Sequence, residues 1–138
     1  MSYTIVVGYD GSEPSKKALD AALELAKEKE AHVLLTCGYQ LPLRNFGSWH
    51  RTDDLEEAVA AGVKSAITSC DADACVVLDA VVLPLPAASA ILKVAEEQHA
   101  DLIVVGSRGE GGIVGTLVGS TALGLVHRSK VPLLIIPV

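Results

Sequence analysis

The sequence predicts an α/β fold: an open parallel sheet with helices on both faces. Three observations lead there. Short runs rich in β-branched residues recur along the 138 residues, and they are continuous rather than alternating, as in strands buried on both faces. The segments between them carry apolar residues at the 3.6-residue spacing of a helix. Strand and helix then alternate as β-α-β-α-β-α-β-α-β, the pattern of a parallel sheet joined by right-handed crossovers.

The first strand covers residues 3–9, YTIVVGY. Asp10, Gly11 and Ser12 supply turn chemistry, and Pro14 suits the first turn of a helix. Ala18, Leu19, Ala22, Leu23 and Ala26 form the inward face of that helix, opposite Glu13, Lys16, Lys17, Lys27 and Lys29. Residues 31–38, AHVLLTCG, form a second buried strand. Residues 39–52 have no clear period and hold Phe46 and Trp49, the only Phe and the only Trp. So long a connection marks a functional loop or packing over the sheet edge. A second helix runs from Asp53, with Leu55, Ala58, Val59, Gly62, Val63, Ala66 and Ile67 on one face. Thr52 caps it, and Asp53, Asp54, Glu56 and Glu57 favour its first turn. Residues 75–83, CVVLDAVVL, form a third strand, bent at Asp79. Pro84 and Pro86 bracket a turn. A third helix covers residues 87–98 with Ala90, Ile91, Val94 and Ala95 inward, and a fourth strand covers residues 100–106. A short helix over 119–128 and a last strand over 131–138, VPLLIIPV, complete the chain.

The totals set limits on function. The length suits one domain, residues 1–138, and half of the residues are apolar, enough for a core without staples. Cys37, Cys70 and Cys75 make an odd, scattered set that suits a reducing cytoplasm better than a disulfide framework. The opening MSYTIVVGYDGS has no basic n-region and no small-residue cleavage site, so no signal peptide is expected. No apolar run approaches the roughly 18 residues of a membrane span. A net charge of −6 argues against nucleic acid as a partner. A small anion is still possible, because local N–H donors can outweigh global charge.

The most informative stretch is GSRGEGGIVGTLVGST, residues 106–121. It follows a buried strand and runs into a helix. Glycine lets the backbone approach a ligand, and a helix start presents free N–H groups and a positive dipole end. In an open parallel sheet, ligands sit at the C-terminal ends of strands where the order reverses, so Asp10 and Gly106, at the ends of strands one and four, are expected to be neighbours. Two familiar phosphate loops do not fit. Gly119-Ser120 lacks the lysine of a Walker loop, and Val114 stands where the dinucleotide fingerprint from Gly109 needs glycine. What stands is Gly106-x2-Gly109-x9-Gly119-Ser120.

This pattern resembles the ATP-binding branch of the universal stress protein family, whose motif is G-x2-G-x9-G-S/T. The resemblance covers the whole chain, through the strand ending in Asp10-Gly11-Ser12, the block ADLIVVGSRG at residues 100–109, and the closing VPLLII. It implies a five-stranded sheet in the order 3-2-1-4-5 and binding of ATP, usually with a divalent metal such as Mg. By matched position, it implies that Gly106, Arg108, Gly109, Gly119, Ser120 and Thr121 meet the phosphates. Gly8, Tyr9, Asp10 and Cys37 would meet adenine and ribose, with Val105 backing the site. Pro84 departs from the family, which often has glycine before the third helix; proline removes a donor and fixes φ there. The resemblance also implies a homodimer that pairs the last strand, from Val131 to Val138, with its twin.

Other residues carry less. Asp10 is a ligand for adenine, ribose or a metal, or else a turn residue capping the first helix; its place at a strand end favours the first. Cys37 reads as a small core residue whose side touches the base. Cys70 and Cys75 are a weak zinc pair, and His32, His50 and His99 suggest no metal site. His127, Arg128 and Lys130 complement the dipole of the last helix. Phe46, Trp49, His50 and Arg51 cover the pocket, form a partner surface, or pack over the sheet edge. No residues assemble into a catalytic constellation, so a non-enzymatic, nucleotide-dependent regulator in the cytoplasm is expected. Its alternatives are a nucleotide-free dimeric interaction module and a slow ATPase.

Overall fold

The computed structural model describes residues 3–39, 52–69, 77–108 and 118–137. Among the described residues nine elements follow one another: β1 (Thr4–Gly8), α1 (Glu13–Lys29), β2 (His32–Gly38), α2 (Thr52–Ser69), β3 (Val77–Leu83), α3 (Ala87–Glu97), β4 (Leu102–Gly106), α4 (Ser120–Arg128) and β5 (Leu133–Ile136). The five strands form one sheet, all neighbours parallel, in the order β3-β2-β1-β4-β5. The expected alternation and strand order are both present.

Central strands are buried on both faces, as their unbroken apolar runs require. Ile5, Val6 and Val7 of β1 are fully buried. Odd-numbered β1 residues meet one core and even-numbered ones the other, because strand side chains alternate. Ile5 and Val7 join Leu19, Leu23 and Val63 beneath α1 and α2. Val6 joins Leu34, Ile91, Val94, Ile103 and Leu125 beneath α3 and α4. Fully burying one such aliphatic side chain contributes about 1.5–3 kcal/mol. The inward faces expected for α1 and α3 are the buried ones.

Element ends differ from the sequence reading for local reasons. β4 begins at Leu102 rather than at residue 100. The Ala100 N–H still serves the α3 terminus, donating to the Ala95 carbonyl, and Asp101 exchanges bonds with Thr4 outside the ladder. β5 is shorter than residues 131–138. Val131 is drawn into a turn, its N–H donating to Ser129 Oγ at 3.1 Å while that hydroxyl donates to the Val131 carbonyl at 2.8 Å. The pairing of β3 with β2 passes through Asp79 without a break in register, so the expected bend leaves no trace there. Exposed Asp79 instead meets His32 Nε2 at 2.9 Å. The loop residues Phe46, Trp49, His50 and Arg51, with Cys70 and Cys75, lie outside the described residues.

Candidate functional site

Strand order reverses between β1 and β4, and a cleft of about 180 Å³ lies at the C-terminal ends of the strands there. β1 supplies Gly8, followed by Tyr9 and Asp10. β2 supplies Cys37. β4 supplies Val105 and Gly106, followed by Arg108, and the start of α4 supplies Gly119, Ser120 and Thr121. Of the residues assigned from the sequence to phosphate, adenine and ribose, all line this one cleft except Gly109, which lies outside the described residues. Asp10 and Gly106 both line it, as the reversal of strand order implies.

Three close approaches hold the cleft together. A Cβ on Gly106 would lie 2.8 Å from the Pro14 carbonyl oxygen, so β4 meets the first turn of α1 in direct backbone contact. A Cβ on Gly8 would lie 2.7 Å from Ile91 Cδ1 and 2.9 Å from Val105 Cγ1. At Gly38 it would lie 2.5 Å from the Leu85 carbonyl oxygen and 3.0 Å from Ala87 N, which joins the end of β2 to the start of α3. These glycines are required by proximity rather than by a positive φ.

The helix starts around the cleft differ. α1 is closed: Ser12 is its N-cap, and its hydroxyl accepts from the Ser15 N–H at 3.4 Å. Asp10 Oδ1 in turn accepts from the Ser12 N–H at 2.9 Å and from the Ser12 hydroxyl. So Asp10 does brace the turn, while also lining the cleft. α4 is open. Its N-cap is Gly119, with no side-chain cap and no acid in the first turn. The first helical bond is Leu123 N–H to the Gly119 carbonyl at 3.0 Å, so the N–H groups before it have no partner within the helix. The Gly119 N–H itself donates to the Ser107 carbonyl. The Ser107 N–H donates to Ile136 at 2.8 Å and so ties the base of the loop to β5.

Two buried polar atoms on the cleft have no hydrogen-bond partner among the described residues: Arg108 Nε and Thr36 Oγ1. Such an orphaned group costs about 1–3 kcal/mol, more when charged. The Cys37 thiol is pushed above its ordinary pKa by burial and then by the nearby Asp10 carboxylate. It stays protonated at neutral pH, as befits a packing residue rather than a nucleophile.

Sequence reading missed Thr36, Gly38, Ala87, Ile91 and Ser107, which also line the cleft. Only Ser107 carried a local hint, between Gly106 and Arg108. The rest reach the site through strand pairing and helix packing. Pro84 is exposed and is not on the cleft; its turn touches the site through Ala87. Among the described residues no cluster of three metal-ligating side chains is present. No helix among them is long and apolar enough to cross a membrane.

A strand order of 3-2-1-4-5 with a glycine-led helix start at the switch point defines a class of small doubly wound α/β domains. The universal stress protein family model matches residues 1–137, and the chain belongs to that family. It is 32% identical over 143 residues to universal stress protein YxiE of Bacillus subtilis, covering 96% of this chain and 97% of that protein. Its fold is similar to that of the hypothetical protein MJ0577, with a TM-score of 0.82 and 21% identity over 99% of this chain and 96% of that one. It is also similar to a universal stress protein solved in complex with cAMP, with a TM-score of 0.68 and 27% identity over 97% of this chain and 96% of that one. A universal stress protein from Archaeoglobus fulgidus, solved in complex with dAMP, shares the fold at a TM-score of 0.64 and 22% identity, over 99% of this chain and 98% of that one.

Proposed function

We propose that this protein binds an adenine nucleotide, ATP with Mg, in the cleft between β1 and β4 and acts as a nucleotide-dependent regulator in the cytoplasm. The observation that carries the reading is the pairing of two unmet needs. Arg108 Nε has no partner among the described residues, and the adjoining start of α4 is uncapped. A phosphate group satisfies both, by a charge-assisted bond and by helix N–H donors. The cAMP complex of a related protein supports an adenine nucleotide as the ligand class.

In this reading Gly106, Arg108, Gly109, Gly119, Ser120 and Thr121 hold the phosphates, and Gly8, Tyr9, Asp10, Cys37 and Val105 surround adenine and ribose. Magnesium, which keeps several waters and binds phosphate oxygens, needs no cage of protein ligands here. In this reading the bound state carries the function, and retention of ATP rather than rapid turnover is the expected behaviour. The homodimer is proposed to form through β5, an edge strand with every residue half-buried.

The test is direct. Denaturing the purified protein should release adenine nucleotide, and ATP with Mg should give binding heat and a higher melting temperature. A protein that carries none and shows neither response sinks the reading. For the dimer, Leu134→Lys should shift sedimentation toward monomer; an unchanged dimer removes β5 as the interface.

A further inference from the structure

One polar group on the cleft is left unassigned by phosphate, ribose and metal alike: the Thr36 hydroxyl. Thr36 follows Leu34 by two residues on β2, so both face α3. It pairs in register with Gly8 of β1 and Val81 of β3. The residue is 1% exposed, and Oγ1 has no partner among the described residues. Its carbonyl is satisfied by the Tyr9 N–H at 3.0 Å, so the hydroxyl alone is orphaned. Ser15, buried on the same cleft, differs: its hydroxyl donates to the Ser12 carbonyl at 2.8 Å. Valine would fill the same β-branched shape with no polar group to satisfy. Keeping a hydroxyl there calls for a partner that the described residues do not supply.

A second feature meets it. The start of α3 is in contact with the end of β2 through Gly38 and Ala87, and Ala87 lines the cleft with Thr36. α3 has 11 residues, its N-cap Pro86 offers no side-chain bond, and its first turn has no acid. Its first helical bond is Ala90 N–H to the Pro86 carbonyl at 2.9 Å. The N–H groups before it and the positive end of the helix are open to an acceptor. Ile91 and Val105 close around Gly8 as an apolar wall.

We propose that Thr36 and the start of α3 read the base of the ligand, with the Thr36 hydroxyl donating to a purine ring nitrogen. This rests on the nucleotide reading above and adds to it the element that selects the base. Adenine N1, N3 and N7 are acceptors without a proton of their own. They match both a hydroxyl donor and an electropositive helix end, and a flat ring suits the wall of Ile91 and Val105. Phosphate recognition falls to Arg108 and α4, and base recognition to β2 and α3.

The experiment compares wild type, Thr36→Val and Thr36→Ser by calorimetry with ATP and its 1-deaza, 3-deaza and 7-deaza analogues. On wild type, one analogue should bind about fivefold to tenfold more weakly than ATP, the loss of one neutral hydrogen bond. On Thr36→Val, ATP should weaken by the same factor and that analogue no further, while Thr36→Ser keeps the wild-type discrimination. Without ligand, Thr36→Val should melt at or above wild type, because an unpaired hydroxyl has been removed. A Thr36→Val protein that binds all four ligands as wild type does overturns the base-reading role and leaves nucleotide binding standing. A lower melting temperature also overturns it, since the hydroxyl then has a partner inside the protein. A wild type that binds none of the four overturns the nucleotide reading itself.

Discussion

The starts of α1 and α4 stand on the same cleft, each following a strand at the switch point, yet they are built oppositely. α1 opens with Asp10, Ser12 and Pro14, and these residues meet its terminal needs from within the chain. α4 opens with Gly119 and has neither a side-chain cap nor an acid. A capped start spends its donors on stability, about 0.5–2 kcal/mol for one cap. A bare start forgoes that and keeps its donors for a ligand. The open start also has Arg108 beside it, a charge whose Nε lacks a partner among the described residues. The difference teaches that a helix terminus signals a site when it is conspicuously unfinished.

The largest expected effect comes from the contact that holds the two starts together. Gly106→Val forces side-chain atoms against the Pro14 backbone. Thermal melting should register a loss of about 3 kcal/mol, near the upper end of overpacking costs, and nucleotide binding should fall with it. A melt within a degree of wild type would mean that α1 and β4 are not in contact. Next comes the charge. Arg108→Met should cost about 2 kcal/mol of affinity for ATP, roughly thirtyfold, with a shallower dependence on salt. Affinity equal to wild type would separate Arg108 from the ligand.

A subtler change would make the open start resemble the closed one. Gly119 has φ −76° and ψ 168°, a conformation any residue adopts. Gly119→Asp should therefore cap α4 and raise stability by about 1 kcal/mol, while its carboxylate repels phosphate. Stability rising as ATP affinity falls is the expected signature; the two moving together would contradict the comparison. The smallest effect concerns Cys37. Burial and Asp10 both raise its pKa, so alkylation should be slow at neutral pH and quicken only as the pH climbs past the ordinary thiol range. Asp10→Asn removes a negative charge, lowers the pKa, and should speed alkylation at fixed pH in a background lacking Cys70 and Cys75. Bound nucleotide should slow it again.

Much of the fold was legible because its cues are local. Ile5, Val6 and Val7 read as a strand buried on both faces, and they are fully buried. The α1 face from Ala18 to Ala26 and the α3 face from Ala90 to Ala95 follow from helical spacing alone. The glycine-rich turn was visible as well, since strand, glycine and helix are adjacent in sequence. Gly106, Arg108 and Gly119 line the same cleft as Asp10 because parallel topology brings the C-terminal ends of β1 and β4 together.

Tertiary structure decided the rest. Thr36 looks like one more strand residue in HVLLTCG; only its burial beside Gly8 and Val81 reveals a hydroxyl without a partner among the described residues. Gly38 and Ala87 are 49 positions apart and touch because α3 packs onto β2. Gly106 reads from the sequence as a strand-end glycine that meets phosphate, but its need for glycine comes from Pro14, some ninety positions away. Periodicity and turn chemistry act over a few residues, so the sequence alone determined the elements and the loop. Which donors remain unmet depends on every neighbour that packing delivers, and that was settled only when the sheet closed around the cleft.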